Sequence, residues 1–167
     1  MRLQGLPPIV SPATRLLVLG SFPGARSLAL QQYYGHPQNH FWRILGALWS
    51  IDLQGMDYAQ RAQVLHAHGL GLWDVYASCE REGSLDTAIR NAEVNDFSAL
   101  ARDCPALVAV AHNGGESFRH TRHVAAALGP RAAGVAFYKL PSTSPANASW
   151  SFERKRAAWA EVLQTLA

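Results

Sequence analysis

Cysteine is nearly absent. The two in the chain, Cys79 and Cys104, stand far apart and form no CxxC pair, which excludes a disulfide framework and a four-cysteine zinc or iron–sulfur site. Lysine is as scarce, with Lys139 and Lys155 alone beside thirteen arginines. No segment approaches the roughly 20 consecutive apolar residues that span a bilayer. The opening MRLQGLPPIVSPATR has no basic region running into an apolar core and a small-residue cleavage site. A cytoplasmic protein is expected, neither secreted nor membrane-spanning. Repeats, low-complexity tracts and linkers are missing too, so residues 1–167 read as a single domain.

What is present supports a packed core. Of 167 residues 49% are hydrophobic and 16% charged, which excludes a disordered chain. Lys and Arg exceed Asp and Glu by three, and the excess is C-terminal: residues 1–112 carry net −1 and residues 113–167 carry +4. His112, His120 and His123 lie near Arg119 and Arg122, a grouping that suits either a phosphate-facing surface or a solvated helix. Charge therefore permits nucleic acid without identifying it.

Arg15-Leu-Leu-Val-Leu-Gly20, Ala106-Leu-Val-Ala-Val-Ala111 and Gly134-Val-Ala-Phe-Tyr-Lys-Leu140 read as buried parallel strands, with a further strand at Gly69–Val75. Helical stretches alternate with them: Asn39 to about Trp49, Asp57–His68, Asp96–Arg102 with Asn95 as cap, Glu116–Leu128 and Ser151–Leu166. In the last, Phe152, Ala157–Trp159, Val162, Leu163 and Leu166 form the buried face, leaving Glu153, Arg154, Arg156 and Glu161 outward. The class is α/β, a three-layer α/β/α sandwich around a mostly parallel sheet of about four strands. Ligands bind such sheets outside the carboxyl ends of the strands. Three polar or Gly/Pro-rich turns follow strands there, at Gly20–Gly24, His112–Gly115 and Pro141–Asn147, and they would frame one cleft.

Gly20-Ser-Phe-Pro-Gly24 can aim backbone N–H groups at an anion or a carbonyl oxygen. It is neither a Walker loop nor the GxSxG of a nucleophile elbow. Tyr33-Tyr-Gly-His-Pro-Gln-Asn-His-Phe-Trp42 combines aromatic and amide groups that suit a planar heterocycle, while Asn39 can cap the helix that follows and Phe41 and Trp42 can be core. His36 and His40 have a metal-compatible spacing, but Pro37 interrupts the helix and no third ligand is evident, so no metal and no cofactor is expected. Leu140-Pro-Ser-Thr-Ser-Pro-Ala-Asn-Ala148 is a rigid hydroxyl-bearing loop that can press against a phosphate or enter a groove.

Taken in order, Gly-x-x-Pro-Gly, His-Pro-x-Asn-x-Phe-Trp, Asn-Gly and Leu-Pro-Ser-x-Ser cover the chain from about Leu16 to Ala148, and they resemble the uracil-DNA glycosylase superfamily. Gly20-Ser-Phe-Pro-Gly24, Leu72-Trp-Asp-Val75, Gly83-Ser-Leu-Asp86 and Asn95-Asp-Phe97 look most like its hypoxanthine-DNA glycosylase (DNA-deoxyinosine glycosylase) branch. Mismatch-specific uracil glycosylases carry a water-positioning Asn in the first motif, where this chain has Phe22. The resemblance therefore moves catalysis to Asn39. It implies hydrolysis of the N-glycosidic bond of deaminated bases, hypoxanthine first and uracil or xanthine besides, in double- or single-stranded DNA after base flipping. A uracil- or mismatch-specific glycosylase, or a DNA-binding member of the fold without catalysis, are the alternatives; a serine or cysteine hydrolase using Ser21 or Cys79 lacks a triad.

An amide orients water but accepts protons poorly, so Asn39 suits a dissociative reaction in which the Ser21 and Phe22 N–H groups stabilise the departing base. The resemblance places the base among Tyr34 (stacking), Asn113 (reading its edge), His36 and Phe22. It places flanking DNA against Ser27, Ser142, Thr143, Ser144, Ala146 and Asn147. Asp74 and Asp86 are expected to be a strand-end acceptor and a helix cap, Asp74 being the second candidate for tuning the water. Without a lysine in these motifs no Schiff base forms. A monomer is expected, associated with the nucleoid of a prokaryote and handing an abasic site to a downstream endonuclease.

Overall fold

The computed structural model describes residues 1–166. In chain order its elements are β1 (Arg2–Gln4), β2 (Leu16–Gly20), α1 (Ala25–Leu30), α2 (Phe41–Trp49), α3 (Tyr58–Ala67), β3 (Leu70–Asp74), β4 (Tyr76–Glu80), β5 (Arg90–Val94), α4 (Leu100–Asp103), β6 (Ala109–Asn113), α5 (Gly115–Phe118), α6 (Thr121–Leu128), β7 (Ala136–Leu140) and α7 (Phe152–Gln164). Short 3-10 turns occupy Asp86–Ala88 and Gly129–Gly134.

Leu-Leu-Val-Leu-Gly in β2 is buried along its whole length, as a strand covered on both faces must be. It pairs in parallel with β3 and β6, and β6 pairs in parallel with β7, giving the order β3-β2-β6-β7. Side chains alternate across the strand. Leu16 and Val18 join Phe41, Trp42, Ile44 and Trp159 on one face, while Leu17 and Leu19 join Phe97, Val110 and Val124 on the other. Helices α2 and α7 pack together over the first face, and α4 and α6 over the second. The three-layer sandwich with four parallel strands is the architecture the sequence predicted. Caps fix two helix starts: Asp57 and Gln60 close a capping box on α3, and the Ser151 hydroxyl accepts the Arg154 N–H on α7. No helix among the described residues is long and apolar enough to cross a membrane.

Several elements differ from the sequence-based expectation. A second, antiparallel sheet, β1-β4-β5, was not predicted; β5 is Arg-Asn-Ala-Glu-Val and mostly exposed, so no apolar alternation marks it. The strand expected over 106–111 lies at 109–113, which puts His112 and Asn113 inside β6 instead of in the turn after it. The helix expected from Asp96 is confined to Leu100–Asp103. Asn95 does not cap it: its Nδ2 donates to the Asp74 carbonyl (2.8 Å) and its N–H to the Val75 carbonyl (2.7 Å), tying this segment to the end of β3. The helix expected over 116–128 breaks at Arg119–His120, where the Thr121 hydroxyl donates to the Phe118 carbonyl (2.7 Å). On α7, Ala157 is exposed and Lys155 is buried.

Candidate active site

Strands β2, β6 and β7 end side by side, and the turns after them line a cleft of about 1220 Å³ together with residues from the 33–39 and 84–87 segments. The three turns predicted to meet do meet. Of the residues singled out from sequence, Ser21, Phe22, Ser27, Tyr34, His36, Asn39, Asn113, Ser142, Thr143, Ser144, Ala146 and Asn147 all line this cleft. Their local roles differ.

Neither the Ser21 nor the Phe22 N–H is spent on the first turn's own backbone bonds. Those run from the Val75 N–H to the Gly20 carbonyl (2.8 Å) and from the Tyr76 N–H to the Ser21 carbonyl (3.0 Å). The Phe22 ring is buried with Tyr76 and Cys79, and the residue also lines the cleft. The Ser21 hydroxyl donates to Asp86 Oδ1 (2.6 Å). Asp86 is thus not a helix cap: the 3-10 turn begins at Asp86 itself, capped by Leu85 without a side-chain bond. Burial raises the Asp86 carboxyl above its ordinary range, and the Ser21 hydrogen bond works against that rise.

Asn39 does not cap α2 as expected, because the N-cap is His40 and carries no side-chain cap bond; the Asn39 Oδ1 instead accepts the Phe41 N–H (2.9 Å) from one residue before the cap, and Asn39 lines the cleft. Tyr34 has φ of 55°, a left-handed backbone uncommon for a non-glycine residue. Its ring stacks on Phe41 with centroids 4.2 Å apart. The preceding Tyr33 is core, its hydroxyl donating to the Pro7 carbonyl (2.8 Å) and its carbonyl accepting from Trp42 Nε1 (3.1 Å). His36 is exposed, and its Nδ1 accepts the Gln38 N–H (3.1 Å).

Both ends of the Asn113 amide are engaged: Nδ2 donates to Thr143 Oγ1 (3.0 Å) and Oδ1 accepts the Thr143 N–H (2.9 Å). Thr143 is 1% exposed. It therefore does not stand at a DNA-facing surface as expected; it anchors its loop to β6, and its carbonyl accepts the His40 N–H (3.0 Å). The rest of the loop braces itself. Ser142 Oγ accepts the Ser144 N–H (3.2 Å), Ser144 Oγ accepts the Ala146 N–H (3.1 Å), and Asn147 Nδ2 donates to the Ser142 carbonyl (3.0 Å). From α7, Trp159 Nε1 donates to the Pro141 carbonyl (3.0 Å) and Lys155 Nζ to the Ser144 carbonyl (3.3 Å). Ser27 is buried as well, its hydroxyl accepting the Gly35 N–H (3.0 Å) and so holding the Tyr34 loop.

Three side chains were missed or misjudged from sequence. Lys139, outside the motifs, lines the cleft. His112 is fully buried against Ser117 Oγ (2.8 Å), and burial pushes it down to about 4, which removes it from any basic face. Asp74, expected to be a satisfied strand-end acceptor, is 5% exposed and its Oδ2 has no hydrogen-bond partner. Burial, assisted by the Asp86 charge and opposed by Arg81, pushes its carboxyl up to about 7.

Against this geometry, comparison with known proteins is decisive on family. The model of the uracil DNA glycosylase superfamily matches residues 7–167. The chain belongs to that superfamily. Among its relatives, the hypoxanthine DNA glycosylase of Methanosarcina barkeri is 40% identical over 164 residues, covering 98% of this chain and 99% of the relative. The hypoxanthine DNA glycosylase of Methanosarcina acetivorans is 36% identical over 161 residues, covering 96% and 98%. A solution NMR structure from M. acetivorans, described as a candidate uracil DNA glycosylase, superposes with a TM-score of 0.85 at 36% identity, covering 99% of each chain. In open α/β sheets of this kind ligands bind outside the carboxyl ends of the strands, which is where this cleft lies.

Proposed function

We propose that the protein is a DNA glycosylase that hydrolyses the N-glycosidic bond of a deaminated base, hypoxanthine foremost, and leaves an abasic site. The observation that carries this is the meeting, in one cleft, of the Asn39 carboxamide with the unspent N–H groups of Ser21 and Phe22, in a chain whose near full-length relatives are hypoxanthine DNA glycosylases. Uracil is the second substrate to test, because the superposing NMR structure is described as a candidate uracil DNA glycosylase.

The chemistry follows from what these groups can and cannot do. Asn39 Oδ1 holds the Phe41 N–H with one lone pair and keeps another to accept a proton of the attacking water. An amide cannot remove that proton early, so the C1′–N bond must be largely broken first. The sugar then carries positive charge and the base negative charge. The two turn N–H groups stabilise the departing base, each donor being worth on the order of 10²-fold or more in rate. Flipping the nucleotide out of the duplex costs a few kcal/mol and is cheapest for a poorly paired base. In this role the protein acts as a monomer, with Ser142, Ser144, Ala146 and Asn147 against flanking DNA, where cellular DNA is found, and an endonuclease takes over its product.

The test uses labelled duplexes and single strands bearing deoxyinosine, deoxyuridine or deoxyxanthosine. Strand breaks are expected only after alkali, with deoxyinosine cleaved, and Asn39→Ala is expected to lose at least about 100-fold in rate. No base release from any lesion sinks the enzymatic reading; an Asn39→Ala variant as active as the parent sinks the assignment of that residue alone.

A further inference from the structure

One buried group in the cleft has no structural employment. The Asp74 carboxyl sits at the end of β3, beside Gly20 at the end of β2, and its Oδ2 is buried without a partner. The Tyr34 hydroxyl is also buried without a partner and converges on the same spot. A Cβ placed on Gly20 would lie 2.5 Å from Asp74 Oδ1 and 3.3 Å from Tyr34 Oη, so glycine is what lets the two groups approach the turn. Both residues line the cleft. Native proteins rarely bury a polar atom without a partner, and the exceptions call for a reason. Asn113, expected to meet the base edge, spends one N–H and one oxygen lone pair on Thr143 and keeps a second N–H on the Tyr34 side of the cleft.

The geometry points to Asp74, in its protonated form and together with the Tyr34 hydroxyl, as a polar contact of the extruded base at the floor of the cleft. This rests on the glycosylase reading above and adds a residue and a proton requirement to it. A carboxylic acid offers an O–H donor beside a carbonyl acceptor, the complement of the lactam N–H and C=O of hypoxanthine or uracil. Once ionised it turns one of those two contacts into repulsion with the lactam oxygen. The groups around it determine when that happens. Asp86 raises its proton affinity, Arg81 lowers it, burial dominates both, and the Tyr33, Tyr34 and Tyr58 hydroxyls stay neutral across the working range.

The experiment follows single-turnover excision of deoxyinosine from pH 6 to 9 in the parent, Asp74→Asn and Tyr34→Phe, alongside calorimetric titration of each with free hypoxanthine. The parent is expected to lose excision about tenfold per pH unit above pH 7, and to bind hypoxanthine more weakly at pH 8.5 than at pH 6. Asp74→Asn, which keeps a donor and an acceptor but cannot ionise, is expected to vary less than threefold in both. Tyr34→Phe is expected to weaken hypoxanthine binding while keeping the parent's pH dependence. Superimposable pH profiles of parent and Asp74→Asn overturn the proposal. If no lesion is excised at any pH, the glycosylase reading fails, and the hypoxanthine titration still decides: pH-linked binding lost in Asp74→Asn supports the contact, and pH-independent binding overturns it.

Leu85 is 55% exposed, the most exposed large hydrophobic apart from Met1 among the described residues, and it stands at the lip of the cleft. Its neighbours hold it there, since Ser84 Oγ accepts the Ala25 N–H (2.9 Å) and Asp86 accepts the Ser21 hydroxyl. From the loop after β7 the cleft receives Pro145, Ala146, Asn147 and Trp150; of these Ala146 alone is exposed and is too small to fill the space of a missing base, and the Trp150 ring is covered by the Arg154 guanidinium at 4.1 Å. The structure assigns Leu85, on the same glycosylase reading, as the apolar wedge that enters the base stack when the nucleotide leaves it. Leu85→Ala is expected to lose at least tenfold in excision from duplex and less than twofold from single strands, where no stack has to be filled. It is also expected to lose the fluorescence rise of a 2-aminopurine placed beside the lesion, a readout that needs no excision. An equal loss on both substrates, or an unchanged 2-aminopurine signal, overturns the assignment.

Discussion

At the scale of single residues, Asp74 sets the sign of a stability effect that is opposite to the usual one for a carboxylate. Its folded value of about 7 lies above the ordinary 3.8, so between those limits the folded chain holds a proton that the unfolded chain has lost. Stability therefore falls as pH rises from about 4 to about 7 and is level above that. The contribution is of the order of a few kcal/mol. Asp74→Asn removes it, so the variant's melting temperature is expected to exceed the parent's by more at pH 8 than at pH 5, read by thermal unfolding at both. Gly20→Ala acts on the same carboxyl from the other side. Its methyl would displace Asp74, and excision is expected to fall at least tenfold while the fold persists. That Asn39 and Asn113 line the cleft was legible in the sequence, because each sits in a motif with its neighbours. Asp74 was visible only as a strand-end acid; what sets it apart is burial without a partner, which depends on Gly20, Tyr34 and Arg81 arriving from other parts of the chain.

At the scale of elements, the Pro141–Asn147 loop behaves as an attached part of the sheet. Thr143 joins it to β6 through Asn113, and α7 reaches it through Trp159 and Lys155. Lys155 is buried, and desolvation lowers its proton affinity; its Nζ also meets His40 Nδ1 (3.2 Å), so it links α7 to the start of α2 as well as to the loop. Thr143→Val keeps the shape but leaves the Asn113 Nδ2 without its acceptor. The expected cost is about 1–3 kcal/mol in urea unfolding, accompanied by weaker binding to lesion DNA because the loop loses its tie. The central strands β2, β3 and β7 were readable from apolar runs closed by Gly20, Asp74 and, after Leu140, by Pro141. Strands β4 and β5 were not, since Tyr76–Glu80 follows β3 after a single residue and Arg90–Val94 carries no apolar alternation. The break between α5 and α6 also escaped, because it is made by a local bond from the Thr121 hydroxyl at the start of α6 to the Phe118 carbonyl at the end of α5, which apolar periodicity does not reveal.

At the scale of the molecule, the net +3 and its C-terminal bias overstate how many cations face DNA. Arg119 is paired with Glu116 and Arg156 with Glu153. Arg131 donates to the carbonyls of Ala101, Pro105 and Leu107, which makes it a structural clamp between α4 and the turn before β7. The cations positioned at the cleft are instead Arg26 and Lys139, with Arg154 near its rim, stacked 4.1 Å over the lining residue Trp150. Two of these three come from the basic C-terminal segment and one, Arg26, from the half of the chain that is net negative, so charge counted along the sequence could not have chosen them. Each cation that neutralises a phosphate contributes about 0.9 to the slope of log affinity against log salt. Measured on an undamaged duplex, Arg26→Ala and Lys139→Ala are each expected to lower that slope by about one. Arg131→Ala is expected to leave the slope unchanged and to lower the melting temperature instead. If Arg131→Ala shifts the slope while Lys139→Ala does not, the DNA lies across the opposite face of the sheet, and the cleft is not where the duplex is held.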